Sequence, residues 1–457
     1  MGLLAINWSS VAVQVGQLLL ALSLLVILHE FGHFITARWF RCRVEKFFLF
    51  FDPWFSLVKK KVGDTVYGIG WLPLGGYVKI SGMIDESMDK EQLKQPPKEW
   101  EFRSKPAWQR LIVMLAGIIM NVLVAFVIYA FVLMIWGERN VPNGSVKNGI
   151  WVTDSLMTRL GFQNGDKVIS VNGDSIKYFD DIQAKVLIGG EKVTIERNGE
   201  TKELDLPIDL IDKLITRKDK KRTLIIERLP CIVGKYDDKD TLYGKKAGLL
   251  PFDKIIAVNG QPVQFMDQIN DIGARNKNGI VNLDVLRNND TVRLTNKVNV
   301  EGRLGIALLT DKQYDSLGVY KVVTTKYLFF AAFPAGIRKA GEKLQFYIDQ
   351  FKLILNPKTG AYKGLGGFKA IGSVFPTYWS WEAFWNITAF LSIVLAFMNL
   401  LPIPALDGGH VMFTLYEMIT RRKPNEKFLE YAQVAGMVLL ILLMLYANGN
   451  DWFGWGK

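Results

Sequence analysis

The sequence predicts a polytopic α-helical membrane protein with four transmembrane helices, a membrane-associated β-sheet element and two extracytoplasmic β-rich domains. Three observations carry that expectation. Four apolar stretches each reach, or nearly reach, the roughly 20 residues a helix needs to cross a bilayer core. Basic residues gather in two of the loops between them, while the first sixteen residues contain none. Between the second and third stretches lies a long segment in which one short motif occurs twice. Composition agrees. With 457 residues, 49% of them hydrophobic, and a mean hydropathy of +0.14, the chain is too long for one domain and too apolar for an ordinary soluble enzyme. The net charge of +12 falls beside apolar segments, and no nucleic-acid-binding motif accompanies it. Nucleic acid is therefore not an expected partner, and membrane lipid is.

The first apolar stretch covers residues 11–36 and makes residues 1–37 the first transmembrane section. It lacks Lys or Arg at its start and carries polar residues at its end, so it reads as an anchor rather than a removable signal peptide. Residues 38–105 follow, with strand-like runs at 44–51, 55–62, 65–71 and 77–81 separated by Asp-Pro, Gly-Asp and Leu-Gly-Gly breaks. These runs are apolar enough that part of the sheet is expected to dip into the bilayer. The second span covers 108–136, within a section of 106–136, and is interrupted by Gly117 and Asn121. Asn121 reads as a polar contact to a neighbouring helix, with a role in the site as the alternative. The third span, 384–401, follows Trp379 and Trp381 and sits in a section of 381–427. The fourth, 428–446, belongs to a section of 428–457 and precedes Trp452 and Trp455, placed as interfacial anchors.

Orientation follows from the loops. Arg38, Arg41, Arg43, Lys46, Lys59, Lys60, Lys61, Arg103, Lys105 and Arg110 lie between the first two spans, and Arg421, Arg422, Lys423 and Lys427 between the last two. Both termini and residues 137–379 are then expected outside the cytoplasm. In that outer segment, Gly161-Phe-Gln-Asn-Gly-Asp166-Lys-Val-Ile-Ser-Val-Asn172-Gly173 is echoed 87 residues later by Gly248-Leu-Leu-Pro-Phe-Asp253-Lys-Ile-Ile-Ala-Val-Asn259-Gly260. Each copy reads as a turn, a buried strand and an Asn-Gly turn, giving domains at 137–220 and 221–310. Residues 311–380 form a linker. In it, 338–355 has Leu344, Tyr347, Phe351 and Ile354 at helical spacing, as an amphipathic helix on the membrane surface would. Cys42 and Cys231 are too few for a disulfide framework and fall on opposite sides of the membrane.

The chemistry is concentrated in His29-Glu30-Phe31-Gly32-His33 at the end of the first span. The spacing puts two imidazoles on one helical face with a carboxylate beside them. It suits a catalytic zinc, with two nitrogen ligands and a Glu placed to take a proton from water. No charged residue occurs from Val11 to Leu28, so the motif lies at bilayer depth, where an ionisable group is costly. A third ligand is needed. Only one other histidine exists, His410, in Asn399-Leu-Leu-Pro402-Ile-Pro404-Ala-Leu-Asp407-Gly408-Gly409-His410. Two prolines and two glycines break the third span there, and Asp407 and His410 are both candidates. Alternatively, Asp407 caps the helix that follows.

These two motifs, with paired repeats between the spans, resemble the RseP-type branch of the site-2 proteases, which are intramembrane zinc metalloproteases. The resemblance covers essentially the whole chain in order. It implies that His29, His33 and Asp407 ligate Zn2+, that Glu30 is the catalytic base, and that Asp407 rather than His410 is the third ligand. The repeats become PDZ domains, and the sheet at 38–105 becomes a membrane-re-entrant β element. Where bacterial relatives often carry Gly-Phe-Gly, this chain reads Phe47-Phe-Leu-Phe-Phe-Asp52-Pro53. The implied setting is a bacterial inner membrane, with the active site near the cytoplasmic side and the PDZ domains periplasmic. The substrate is a transmembrane segment of another protein, an anti-sigma factor or a remnant signal peptide.

A helix hides its carbonyls and must be unwound before attack. Leu74-Gly75-Gly76-Tyr77-Val78-Lys79-Ile80 is the candidate edge strand that would receive it, since Gly lets another backbone come close; alternatively Gly75-Gly76 is only a turn. Asn399 would hydrogen-bond the substrate backbone or the oxyanion, unless it is simply a polar helix-end residue. The PDZ pair would either bind newly exposed peptide C-termini or exclude substrates with bulky outer domains. A non-catalytic PDZ scaffold is the rival reading and makes Glu30 dispensable. A metal transporter would need more polar groups along the spans.

Overall fold

A computed structural model describes residues 8–73, 75–83, 96–217, 223–237 and 242–456, apart from the side chain of Glu426. The chain divides into two compact units. One is Met1–Gly137, Lys326–Leu355 and Tyr362–Lys457; the other is Glu138–Thr325 and Asn356–Ala361.

Among the described residues the first unit is built on six long helices, α1 (Trp8–Trp39), α2 (Ala107–Ile135), α3 (Phe329–Leu355), α4 (Trp381–Leu400), α5 (Asp407–Thr420) and α6 (Glu426–Phe453), with a short one at Phe368–Gly372. α1, α2, α4 and the Lys427–Phe453 part of α6 are long and apolar enough to cross a membrane. They also expose many large apolar side chains, among them Leu20, Ile119, Leu123 and Leu442. α2 is the central element, packed by α1, α3, α4 and α5. Small residues make this packing close: Ala332, Ala335, Gly336 and Ala340 of α3 are buried, and a Cβ on Gly336 would stand 2.7 Å from Ala130 N of α2.

α3 differs from the sequence expectation in two ways. It starts nine residues before 338 and runs through Pro334, which removes only one intrahelical bond. Its small-residue face also docks on α2, while Tyr347 and Phe351 meet Phe397 of α4 edge-on.

A four-stranded sheet joins α1 to α2: β1 (Val44–Leu49), β2 (Phe51–Val62), β3 (Thr65–Leu72) and β4 (Tyr77–Ile80), in the order β2-β3-β1-β4. β1 and β3 are parallel, with Lys46 opposite Val66; the other pairs are antiparallel. β4 is therefore an edge. Val44, Ile80 and Cys42 bury against Ala37 of α1, Val113 and Met114 of α2 and Val411 of α5, fixing the sheet beneath the end of α1. β2 is the other edge and leaves Trp54, Phe55, Leu57 and Val58 exposed.

The second unit contains both copies of the repeat. Lys167–Val171 and Lys254–Val258, each in the middle of a four-stranded sheet, occupy equivalent places. The strand orders are Asp174–Ser175, Lys167–Val171, Lys192–Arg197, Glu200–Asp205 and Gln261–Pro262, Lys254–Val258, Ile280–Arg287, Asp290–Lys297. The repeated aspartates are internal anchors. Asp166 accepts from Gln163 N and pairs with Arg197, whose guanidinium also reaches Gly161 O. Asp253 does the same with Leu250 N, Arg287 and Gly248 O. One apolar core runs through both copies, and Asp267 joins them by accepting from Asn164 and pairing with Arg228. The expected boundary at 220 and 221 lies outside the described residues. Cys231 and Cys42 are both free and buried, and burial pushes the Cys231 thiol up to about 12, so it is an inert core residue.

Arg287 is partly exposed and can hydrate once left alone, so removing its buried partner costs about 1–2 kcal/mol. Asp253→Ala is accordingly expected to speed amide hydrogen exchange in Ile280–Arg287 by about tenfold. Unchanged exchange in that strand would show that the Arg287 pair contributes little.

Candidate metal centre

The site begins with a close crossing of two helices. Gly32, inside the His29–His33 motif, lies against α2, where a Cβ would stand 2.8 Å from Ala116 C. On the α2 side, a Cβ on Gly117 would overlap His33 Nε2 and come within 2.6 Å of His29 Cε1. The two glycines thus leave a space in which both imidazoles fit, their rings edge-on at 4.9 Å. His33 Nδ1 lies 2.8 Å from Val113 O, which can only accept, so Nδ1 carries the proton and Nε2 presents its lone pair to the site.

Asp407 comes from the broken end of α4. Leu401 ends that helix, Pro402 and Pro404 prevent its continuation, and Ala405 takes a left-handed backbone (φ 82°). Gln433 of α6 accepts from the Ala405 amide and holds the bend. The loop folds back over the first turn of α5, where a Cβ on Gly409 would stand 2.7 Å from Ile403 O. Asp407 is the first residue of α5 but does not cap it: the N-cap is Leu406, and no side chain caps that end. Its carboxylate turns to the histidines instead, with Oδ2 3.2 Å from His29 Nε2 and 3.3 Å from His33 Nε2. The two Nε2 atoms are 3.3 Å apart.

With both Nε2 atoms presenting lone pairs, three donor atoms this close repel one another unless a cation lies among them. Asp407 Oδ2 is shielded from solvent, with the two Nε2 atoms as its polar neighbours. Neighbouring ligands of a tetrahedral ion with bonds of about 2.0–2.1 Å stand about 3.3 Å apart, so the donor set fits zinc in type and spacing. His29, His33 and Asp407 are the group found able to hold a metal among the described residues. His410 is not part of it. One turn further along α5, it lines a cavity of about 400 Å³ with Arg110, Thr414, Glu417 and Gln433.

The remaining expected residues fall around this cluster. The Glu30 carboxylate accepts the backbone N–H of Val78, and a Cβ on Gly76 would stand 3.5 Å from Glu30 Cγ. β4 therefore lies directly against the motif helix. Gly75 and Gly76 precede the strand, which starts at Tyr77; Leu74 lies outside the described residues. Tyr77 is held by its hydroxyl, which donates to Asp52, and by its ring, stacked on Phe48 and Phe51. Asn399 Nδ2 is 3.4 Å from His29 Nε2, at the margin of the donor cluster.

Asn121 makes the expected polar contacts to neighbouring helices, and one of them is to the motif itself. The residue is fully buried, and its amide sits 3.2 Å from His29 Nδ1. The signal was present in the sequence: Gly117 and Asn121 are four apart and share one face of α2.

A family model described as Peptidase family M50 matches residues 17–443. The chain is 28% identical to the regulator of sigma-E protease RseP of Escherichia coli over 463 residues, covering 96% of this chain and 98% of that protein. It is also 28% identical to a chain of Treponema pallidum, provisionally named a zinc metalloprotease, over 452 residues, covering 94% and 96% respectively.

Gly117→Ala is expected to displace both imidazoles and to reduce bound zinc from one equivalent to less than about a tenth, measured by metal analysis of the purified protein. Full zinc content in this variant would mean that the donor cluster does not need the close crossing.

Proposed function

The chain belongs to peptidase family M50, and from that premise we propose that this zinc metalloprotease cleaves peptide bonds within transmembrane segments of other membrane proteins. The observation that carries the proposal is the buried His29–His33–Asp407 cluster, with Glu30 beside it, on helices long and apolar enough to cross a membrane. His29, His33 and Asp407 hold the zinc. Bound there, it supplies a Lewis acid that polarises the scissile carbonyl and makes water more acidic.

Glu30 is the general base: it takes the proton of the attacking water and delivers it to the leaving nitrogen. The Val78 N–H keeps the carboxylate aimed while it waits. Asn399, at the margin of the cluster, donates to the carbonyl oxygen as charge develops. β4 receives the unwound substrate. It is an edge strand beside the base; the Val78 N–H is taken by Glu30, and the other backbone groups of residues Gly75 to Val78 are offered to a partner that has given up its own helical bonds. An extended segment there lies within reach of Glu30 without needing a deeper cleft.

The setting is a bacterial inner membrane, with both termini and the second unit periplasmic and the metal centre near the cytoplasmic side; the basic loops support this orientation. Substrates are proteins such as anti-sigma factors, or signal peptides left after secretion. The two β-rich copies are PDZ-like domains acting as a filter against substrates with large outer domains.

Three results are expected. Glu30→Gln should keep its zinc and lose at least about a thousandfold in cleavage of a helical model substrate. Retained cleavage would defeat the proposal in favour of a scaffold. Asp407→Ala should lose zinc while His410→Ala keeps it; the reverse would reassign the third ligand. Deleting residues 150–302 should admit substrates that still carry their outer domains. Their continued rejection, with binding of free peptide C-termini by the intact protein, would replace the filter by a docking role.

A further inference from the structure

His33 and His29 are held differently. The outer nitrogen of His33 is fixed by a backbone carbonyl, Val113 O, that no substitution can remove. The outer nitrogen of His29 faces a side chain, Asn121. The Asn121 backbone is held in place: the residue is fully buried, and its carbonyl accepts the Ser392 hydroxyl of α4 at 2.7 Å.

The Asn121 amide has two orientations. In one, Nδ2 faces His29 Nδ1 and Oδ1 is buried with no partner. This orientation suits a His29 whose proton is on Nε2, but Nε2 is the atom directed at Asp407 and His33. When Nε2 gives its lone pair to a cation, the proton of the neutral ring must be on Nδ1, and two donors then face each other. Flipping the amide removes that clash and gives Oδ1 the partner it lacks. It also moves an N–H into the place where Oδ1 had no partner, so the flipped form is favoured only while His29 Nε2 is engaged.

We infer that Asn121 is a positioning residue for the metal centre: its amide oxygen accepts the His29 Nδ1 proton and fixes the tautomer and ring plane in which Nε2 can bind zinc. This deepens the proposed zinc reading and rests on it. Outer partners of ligating histidines of this kind change metal affinity by about 10–100-fold when removed. The contact also ties α1 to α2 and α4 at the level of the cluster, so the ring orientation is set by three helices together.

The test is zinc affinity of the purified full-length protein, by competition with a chromophoric chelator, for the parent, Asn121→Leu and Asn121→Asp. Melting of the zinc-free proteins serves as the measure of structure. Leucine keeps the bulk and removes the acceptor, so Asn121→Leu should bind zinc about 10–100-fold more weakly while melting like the parent without zinc. Aspartate can only accept, so Asn121→Asp should stay within about threefold of the parent or bind more tightly, since a carboxylate is the stronger partner for the imidazole N–H. A leucine variant with parental affinity overturns the inference. So does an aspartate variant more than about tenfold weaker, because it would show that the amide N–H was the group that mattered. If the leucine variant does not fold, the aspartate variant alone decides. A parent that binds no zinc would defeat the proposed function itself, a separate result from equal binding by parent and variants.

Discussion

The donor cluster exists because no side chain stands on α2 at Gly117. A methyl group there would occupy the place of His33 Nε2, and Gly32 makes the reciprocal concession on α1. Two apolar helices gain little from touching in an apolar surrounding, so a contact this close depends on backbone packing and on polar groups that find partners across it. His33 to Val113 and His29 to Asn121 are those partners. The crossing and the site are therefore one structure: the polar groups hold the helices together, and the helices keep the polar groups out of solvent. The remaining elements complete this arrangement. α5 brings in Asp407 through a bend that α6 holds by Gln433, and β4 rests its backbone against Glu30.

Much of this was legible in the chain before any coordinates. A helix fixes the relation between residues four apart, so His29 and His33 declare a shared face directly. The apolar spans were readable because their length and composition exceed anything a soluble helix requires. The choice between Asp407 and His410 was not readable: both lie in one turn of chain, and only the path of the loop over Gly408 and Gly409 decides which faces the histidines. Asn121 was legible only in part: its spacing from Gly117 shows the shared face but not the partner. A lone amide in an apolar helix has the same local signature whether it meets another helix or a ligating ring, and the His29 contact joins residues 92 positions apart.

The repeats show the same limit inside a single motif. The match of Asp166 and Asp253 was plain, yet their partners were not. Arg197 and Arg287 are 90 apart rather than 87, since the second copy carries three more residues between its paired strands. The matched positions mark the turn each aspartate closes, while the arginine that completes the pair arrives from a strand of variable distance.

The stretch Glu138–Thr325, the main part of the second unit, is an insertion whose two ends are bound together. Its first strand, Glu138–Asn140, pairs antiparallel with its last, Val323–Thr325, so the chain enters and leaves through one narrow ribbon. Everything between those strands is closed off like a loop on a clasp. Such a module can be lengthened, shortened or exchanged in evolution at little entropic expense to the helices, because the ends to be brought together stay together whatever hangs beyond them. The helices that carry the donor cluster and the inserted module can then change at independent rates within a single polypeptide.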